Sequence, residues 1–194
     1  LFYARTARQY TQEVDQPLWT AASLNQLGNL LLAESQTRSA FDAYVEALAA
    51  MPAGNDVWRA RVLDNLGYCR VLEGRLDEGF PLLVRSLRIL TRLGARRFEI
   101  STRLDLCFAY LEAGRHRPAA RHGERALALA EAAGDVDSIK NALYLLGEAT
   151  NLSGESDRAR TLFSRLQRDY YPGNGFIPDF LLAVNVRQIV NLRA

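Results

Sequence analysis

The chain has 194 residues, 48% hydrophobic and 24% charged, enough for one large domain or a short repeat array and too long for a disulfide-stapled mini-protein. Its 24 basic and 22 acidic residues leave a formal charge of +2, which without clustered basic patches is no nucleic-acid footprint. Thirteen Gly and six Pro exclude a collagenous or low-complexity chain.

In chain order, residues 1–16 fit the second helix of a truncated helix pair, Leu1 aligning with Phe80 and Ala7 with Ser86. The start at Leu1 rather than Met is expected of a cut or processed chain, and no signal peptide is visible. The uncharged run 16–33 approaches transmembrane length. It holds Gln16, Ser23, Asn25, Gln26 and Asn29, whose burial in lipid is costly, so no membrane span is expected; the cytoplasmic location expected rests on Cys69 and Cys107 reading as reduced thiols.

From there the chain repeats. Leu27-Gly28 recurs as Leu66-Gly67, Leu106-Cys107 and Leu146-Gly147, in steps of 39, 40 and 40. A small residue follows each leucine in the same register, at Ala40, Gly79, Ala119 and Ala159, with a turn position at Ser35, Gly74, Gly114 and Gly154. Gly54, Gly94 and Gly134 mark helix C-caps, and Asp56 and Asp135 read as N-caps of the helices that follow. The period predicts four helix pairs, at 17–54, 55–94, 95–134 and 135–172. Trp19, Trp58 and Phe98 open the first helix of three of them, where we expect each ring to wedge against the preceding helix. After an irregular linker from Tyr170, a closing helix is expected over about 179–192, with Leu181, Leu182, Val186, Ile189 and Val190 on one apolar face.

Leu24, Leu27, Gly28, Leu31, Ala40, Tyr44, Ala47 and Pro52 resemble the tetratricopeptide repeat, and the resemblance runs over roughly residues 20–172. It implies an all-α, right-handed solenoid of about ten antiparallel helices, with the whole of 1–194 as one domain. The third pair departs from the pattern with Arg103, Cys107 and Gly123, where an apolar residue, a glycine and an aromatic are usual. The period exceeds the family's 34 residues. In this it is similar to the repeats of kinesin light chain and of the sensor regions of maltose-activator-type bacterial regulators.

No nucleotide loop, zinc motif or nucleophile elbow is present, so no cofactor, metal or catalysis is expected. Cys69 and Cys107 read as reduced apolar thiols, and His116 and His122 as solvent-exposed. Arg85, Arg88, Arg92, Arg96 and Arg97 form a basic edge, read as a solvated face. What remains is the concave surface that the first helices of such an array present. It comprises Asn25, Asn29 and Leu32; Arg61, Asp64, Asn65 and Tyr68; Leu104, Phe108 and Glu112; and Asn141, Tyr144, Glu148 and Asn151. Asparagine is a poor helix former, and an exposed Asn amide can pair with both polar groups of an extended peptide backbone. These residues are read as a protein- or peptide-binding face; asparagines bonding helix to helix in a wet groove are the alternative. A carboxylate clamp of the chaperone-binding type is rejected. Asn29 and Asn65 match it, but Asn25, Ser101 and Asp105 stand where the resemblance implies Lys, Lys and Arg. The expected function is a non-enzymatic interaction or sensor part of a larger bacterial signalling or transcriptional regulator. A metabolite-sensing domain and a homo-oligomer paired through its terminal helices are the alternatives.

Overall fold

The structure, a computed structural model, describes Thr6, residues 17–184 and Val186. Among the described residues are nine α-helices and no strand. They are α1 (Pro17–Ala33), α2 (Thr37–Ala50), α3 (Asp56–Leu72), α4 (Leu76–Arg92), α5 (Arg96–Glu112), α6 (His116–Ala133), α7 (Val136–Leu152), α8 (Ser156–Tyr170) and α9 (Ile177–Ala183). They fall into two compact units, one through Ala95 with α1–α4 and one from Arg96 with α5–α9. The helix expected over 1–16 lies outside the described residues. No described helix is long and apolar enough to cross a membrane.

In the first unit α1 packs on α2 and α3 on α4; in the second, α5 packs on α6 and α7 on α8. The sequence dictates the helices by spacing. In α1 the buried positions Thr20, Ala21, Leu24, Asn25, Leu27, Gly28, Leu31 and Leu32 recur at helical intervals, while Leu18, Trp19, Gln26 and Leu30 stand exposed. Each pair is closed by a left-handed residue. Gly74, Gly114 and Gly154 have φ of 74°, 66° and 86°, and Ser35 takes the same turn at 60°. The hydrogen bonds there are the two of a Schellman cap, for example Arg75 N–H to Arg70 O at 2.8 Å and Gly74 N–H to Val71 O at 3.0 Å. They satisfy carbonyls the helix end leaves open. Ser35 holds the conformation without the freedom of glycine.

The pairs are drawn together at one recurring contact. A Cβ on Gly28 would fall on the Tyr44 ring, one on Gly147 on the Phe163 ring, and one on Gly67 within 2.8 Å of Leu83 Cγ. The first helix leaves a site empty and the second helix fills it. The third pair reverses the sizes. Gly123 stands where Tyr44, Leu83 and Phe163 stand elsewhere, and a Cβ there would lie 3.4 Å from Cys107 Sγ and 3.1 Å from Leu146 Cβ. Cys107 and Gly123, two departures in the sequence, are therefore one exchange across a single contact. Arg103, the third departure, pairs with the buried Glu99 at 2.7 Å.

The structure corrects three local expectations. Trp19 and Trp58 open α1 and α3 as their third residues, but Trp19 is 64% exposed and Trp58 is exposed as well. A residue so early in a helix precedes the packed stripe, and the Trp58 ring is capped instead by the Arg61 guanidinium, 4.6 Å from its centroid. Asp56 is the first residue of α3, preceded by Asn55. It lies near the positive helix end without capping it, whereas Asp135 does cap α7, accepting from Ser138 N–H at 3.2 Å. The closing helix is shorter than expected. It runs over Ile177–Ala183 and gives way to extended backbone at Val184 (φ −123°, ψ 128°). The Leu182 carbonyl there accepts from Asn151 Nδ2 at 3.1 Å, in place of the amide four residues on that a continued helix would supply. Ile189 and Val190 lie outside the described residues.

The exchange in the third pair is testable by a double-mutant cycle on thermal or urea unfolding. Gly123→Phe alone should overfill its contact and cost about 1–3 kcal/mol. Combined with Cys107→Gly, it should cost less than the sum of the single changes by at least about 0.5 kcal/mol. Strict additivity would show that residues 107 and 123 do not share one contact.

Candidate functional site

The first helices were expected to present fourteen residues, and the structure divides them. Asn25, Leu32, Asp64, Asn65, Tyr68, Leu104, Phe108 and Glu148 are buried, Asn29, Arg61, Asn141, Tyr144 and Asn151 are half-buried, and Glu112 is exposed. In the first unit the asparagines bond to one another. Asn65 Nδ2 donates to Asn25 Oδ1 at 2.8 Å and stands 3.4 Å from Asn29 Oδ1. Asn29 Oδ1 also accepts from the Tyr44 hydroxyl at 2.8 Å. This network ties α1 to α2 and α3, and Asn25, only 3% exposed, offers no free amide edge to a ligand there. The expectation of an exposed Asn25 is corrected: it belongs to the buried stripe of α1 and meets Asn65 in that of α3. Arg61 is occupied by the Trp58 ring.

The second unit is more open. A cavity of about 410 Å³ lies between α7, α8 and α9. Lys140, Asn141 and Tyr144 line it from α7 and Leu166 from α8; Tyr171 and Phe176 line it from the linker, and Ile177, Phe180 and Leu181 from α9. Its wall is mostly apolar, with polar groups confined to the α7 side. Lys140 Nζ is held 2.7 Å from Asp137. Asn151, one turn beyond Glu148 on α7, donates to the Leu182 carbonyl and accepts from Ser156 Oγ at 3.2 Å. The sequence marked Asn141, Tyr144 and Asn151 but not Tyr171 or Phe180, because the linker and α9 carry no repeat signature.

Elsewhere in the second unit two ion pairs join α6 to α8. Glu124 pairs with Arg158, and seven residues on in both helices Glu131 pairs with Arg165 at 2.6 Å. His122 is not solvent-exposed as expected. It stacks on Tyr110 with ring centroids 5.4 Å apart, and its Nδ1 is buried with no hydrogen-bond partner among the described residues. Burial, with the charges of Arg103 and Arg121, lowers its pKa to about 4. The arginines of the expected basic edge are exposed, and Arg92 lies 3.7 Å from Asp56. Among the described residues no three metal-ligating side chains cluster.

Paired helices of about 40-residue period, closed by left-handed turns and pulled together at a glycine seat, define a helical-repeat protein of the kind that commonly serves as a protein-interaction scaffold. Residues 58–132 match the tetratricopeptide repeat family, and the resemblance to that repeat, in the long form of kinesin light chain, holds. BtubC (BKLC) from P. vanneervenii is similar over 89% of this chain and 72% of its own, with a TM-score of 0.75 and 20% identity. A Podosopora anserina putative kinesin light chain with nearly identical TPR-like repeats is similar over 80% and 78%, with a TM-score of 0.67 and 16% identity. A second crystal structure of those repeats, carrying one substitution, covers 88% and 85%, with a TM-score of 0.66 and 15% identity. At these identities the likeness is one of fold. No curated protein matches the sequence.

Two outcomes are expected from this polar inventory. Replacing Asn25 and Asn29 by Ala should lower the unfolding free energy by about 1–3 kcal/mol, because the buried Asn65 amide loses the two acceptors that Asn25 and Asn29 supply. An unchanged denaturation midpoint would show that the asparagine network carries no stability. For His122, the folded pKa of about 4 lies below the unfolded value of about 6.5, so the unfolded chain binds the extra proton first as pH falls. The stability this neutral ring contributes is present above about pH 6.5 and is lost on acidification towards pH 4. His122→Phe should flatten that part of the stability–pH curve, and an unaltered curve would assign the titration to another group.

Proposed function

We propose that the chain is a non-enzymatic interaction module that takes a peptide segment of a partner protein against the inward faces of its first helices. The observation that carries this reading is the second unit's cavity, apolar in its walls and edged by the half-buried Asn141 and Tyr144. An apolar anchor residue buried there would supply affinity, while the α7 polar groups fix the backbone's direction. In the first unit Asn29 and Arg61 are the half-exposed members of the proposed face. The buried members Asn25, Asp64, Asn65, Tyr68, Leu104, Phe108 and Glu148 support its shape from behind. Such a module fits the cytoplasmic interaction part of a larger bacterial signalling or transcriptional regulator.

One observation favours a second reading. At about 410 Å³ the cavity falls within the size range of small-molecule sites, so a metabolite sensor would use the same walls.

A displayed random-peptide library and a metabolite library, both screened against the full chain, separate the two. The interaction module predicts peptides whose affinity falls at least about tenfold, roughly 1.4 kcal/mol, in Tyr144→Ala, with helicity unchanged by circular dichroism. Peptides insensitive to Tyr144→Ala would overturn the site. Metabolite binding without peptide binding would replace the module by the sensor.

A further inference from the structure

One side of the second unit's cavity is closed by a short segment of the chain itself, α9. None of the seven residues of α9 is fully buried; Ile177, Pro178, Leu181 and Leu182 are half-buried and Phe180 is exposed, so this helix lies on α7 and α8 from outside. Three kinds of contact hold it. Asp179 forms an ion pair with Arg160 of α8 at 2.6 Å. Phe180 and Leu181 line the cavity. The Leu182 carbonyl accepts from Asn151 Nδ2. An ion pair, an apolar anchor and a side-chain amide on a backbone carbonyl are what a peptide-binding face uses on a peptide that reaches it from another molecule. The attachment is also weak. The Arg160–Asp179 pair is solvent-exposed, its side chains 54% and 74% accessible, and such pairs contribute little. The chain enters α9 through Pro172-Gly173-Asn174-Gly175, a sequence that turns easily.

We propose that residues 176–183 are a resident, displaceable ligand of this face, and that they state the chemistry of the partner it takes: an acidic residue followed directly by an aromatic and an aliphatic one, as in Asp179-Phe180-Leu181. Arg160 reads the carboxylate, Tyr144 and Leu166 face the apolar pair across the cavity, and Asn151 fixes the register by holding the carbonyl of the next residue. A partner segment of this pattern replaces α9 group for group, so the face changes occupant without leaving a charge or an amide unpaired. This inference rests on the interaction-module reading and adds to it the identity of the segment recognised.

The test is binding in trans of a labelled synthetic peptide with the sequence of residues 174–186, followed by fluorescence anisotropy. Wild-type full chain should bind it weakly, because the tethered copy competes at an effective concentration of the order of mM. Full chain carrying Phe180→Ser and Leu181→Ser, which disarms only the resident segment, should bind at least about tenfold more tightly. Asn151→Ala in that background should lose the gain, as should a peptide with Ala at the position of Asp179 or Phe180. No gain in the disarmed chain, or a gain indifferent to Asn151 and to the peptide's own acidic and aromatic residues, overturns the proposal. So does loss of helicity or a broad melting transition in the disarmed chain, which would make α9 a structural cap. Random-library peptides that still bind in a Tyr144-dependent way would then leave the interaction module standing without this ligand; absence of binding by any peptide would remove both. Peptide binding to wild type as tight as to the disarmed chain would mean that α9 does not occupy the site.

Discussion

Everything else in this molecule depends on how closely two helices of a pair can approach. At Gly28, Gly67 and Gly147 the first helix presents bare backbone, and a ring or leucine of the second helix sits directly on it. Interiors are packed too tightly for such a site to admit even one methyl group without displacement. The seat therefore fixes the helix spacing, and the spacing decides which residues of α1, α3, α5 and α7 are buried. The Asn29–Tyr44 hydrogen bond shows the link in one residue: the ring that fills the Gly28 seat also delivers its hydroxyl to the asparagine that follows that glycine on the same helix.

The fold was largely legible because its signals are local and periodic. Leucines at a fixed step, a glycine seat and a left-handed turn each leave a mark at the same register in successive pairs. The third pair reads as irregular for an instructive reason. Cys107 and Gly123 violate two columns when each is taken alone, yet together they preserve one contact, and sequence columns carry no record of who touches whom. Ser35 is a gentler case, since its position predicts the turn although its residue type does not require it.

The candidate site was legible in its chemistry and not in its direction. Asn25, Asn29 and Asn65 were recognisable as unusual helix residues, but an amide that could meet a peptide can equally meet another amide, and in the first unit it does. In the second unit Asn151 does meet a backbone carbonyl, that of Leu182, 31 residues further along the chain. No periodicity announces such a contact, which is also why the closing helix was expected to run on past Val184. His122 was misread for a similar reason. Its ring is covered by the stacked Tyr110 ring rather than by a place in a hydrophobic stripe.

The linker between α8 and α9 has a consequence for timing. A segment joined by a few residues to the helix it lies on reaches its site again after every departure, long before a dilute competitor can diffuse in. Occupancy of the face then answers to how many contacts a newcomer makes in one encounter more than to how abundant it is. A partner that also grips a neighbouring repeat would win where a free peptide of equal chemistry would not. Tyr171-Pro172-Gly173-Asn174-Gly175 thus sets a threshold: the shorter the tether, the more points of attachment a newcomer must bring before the face changes hands.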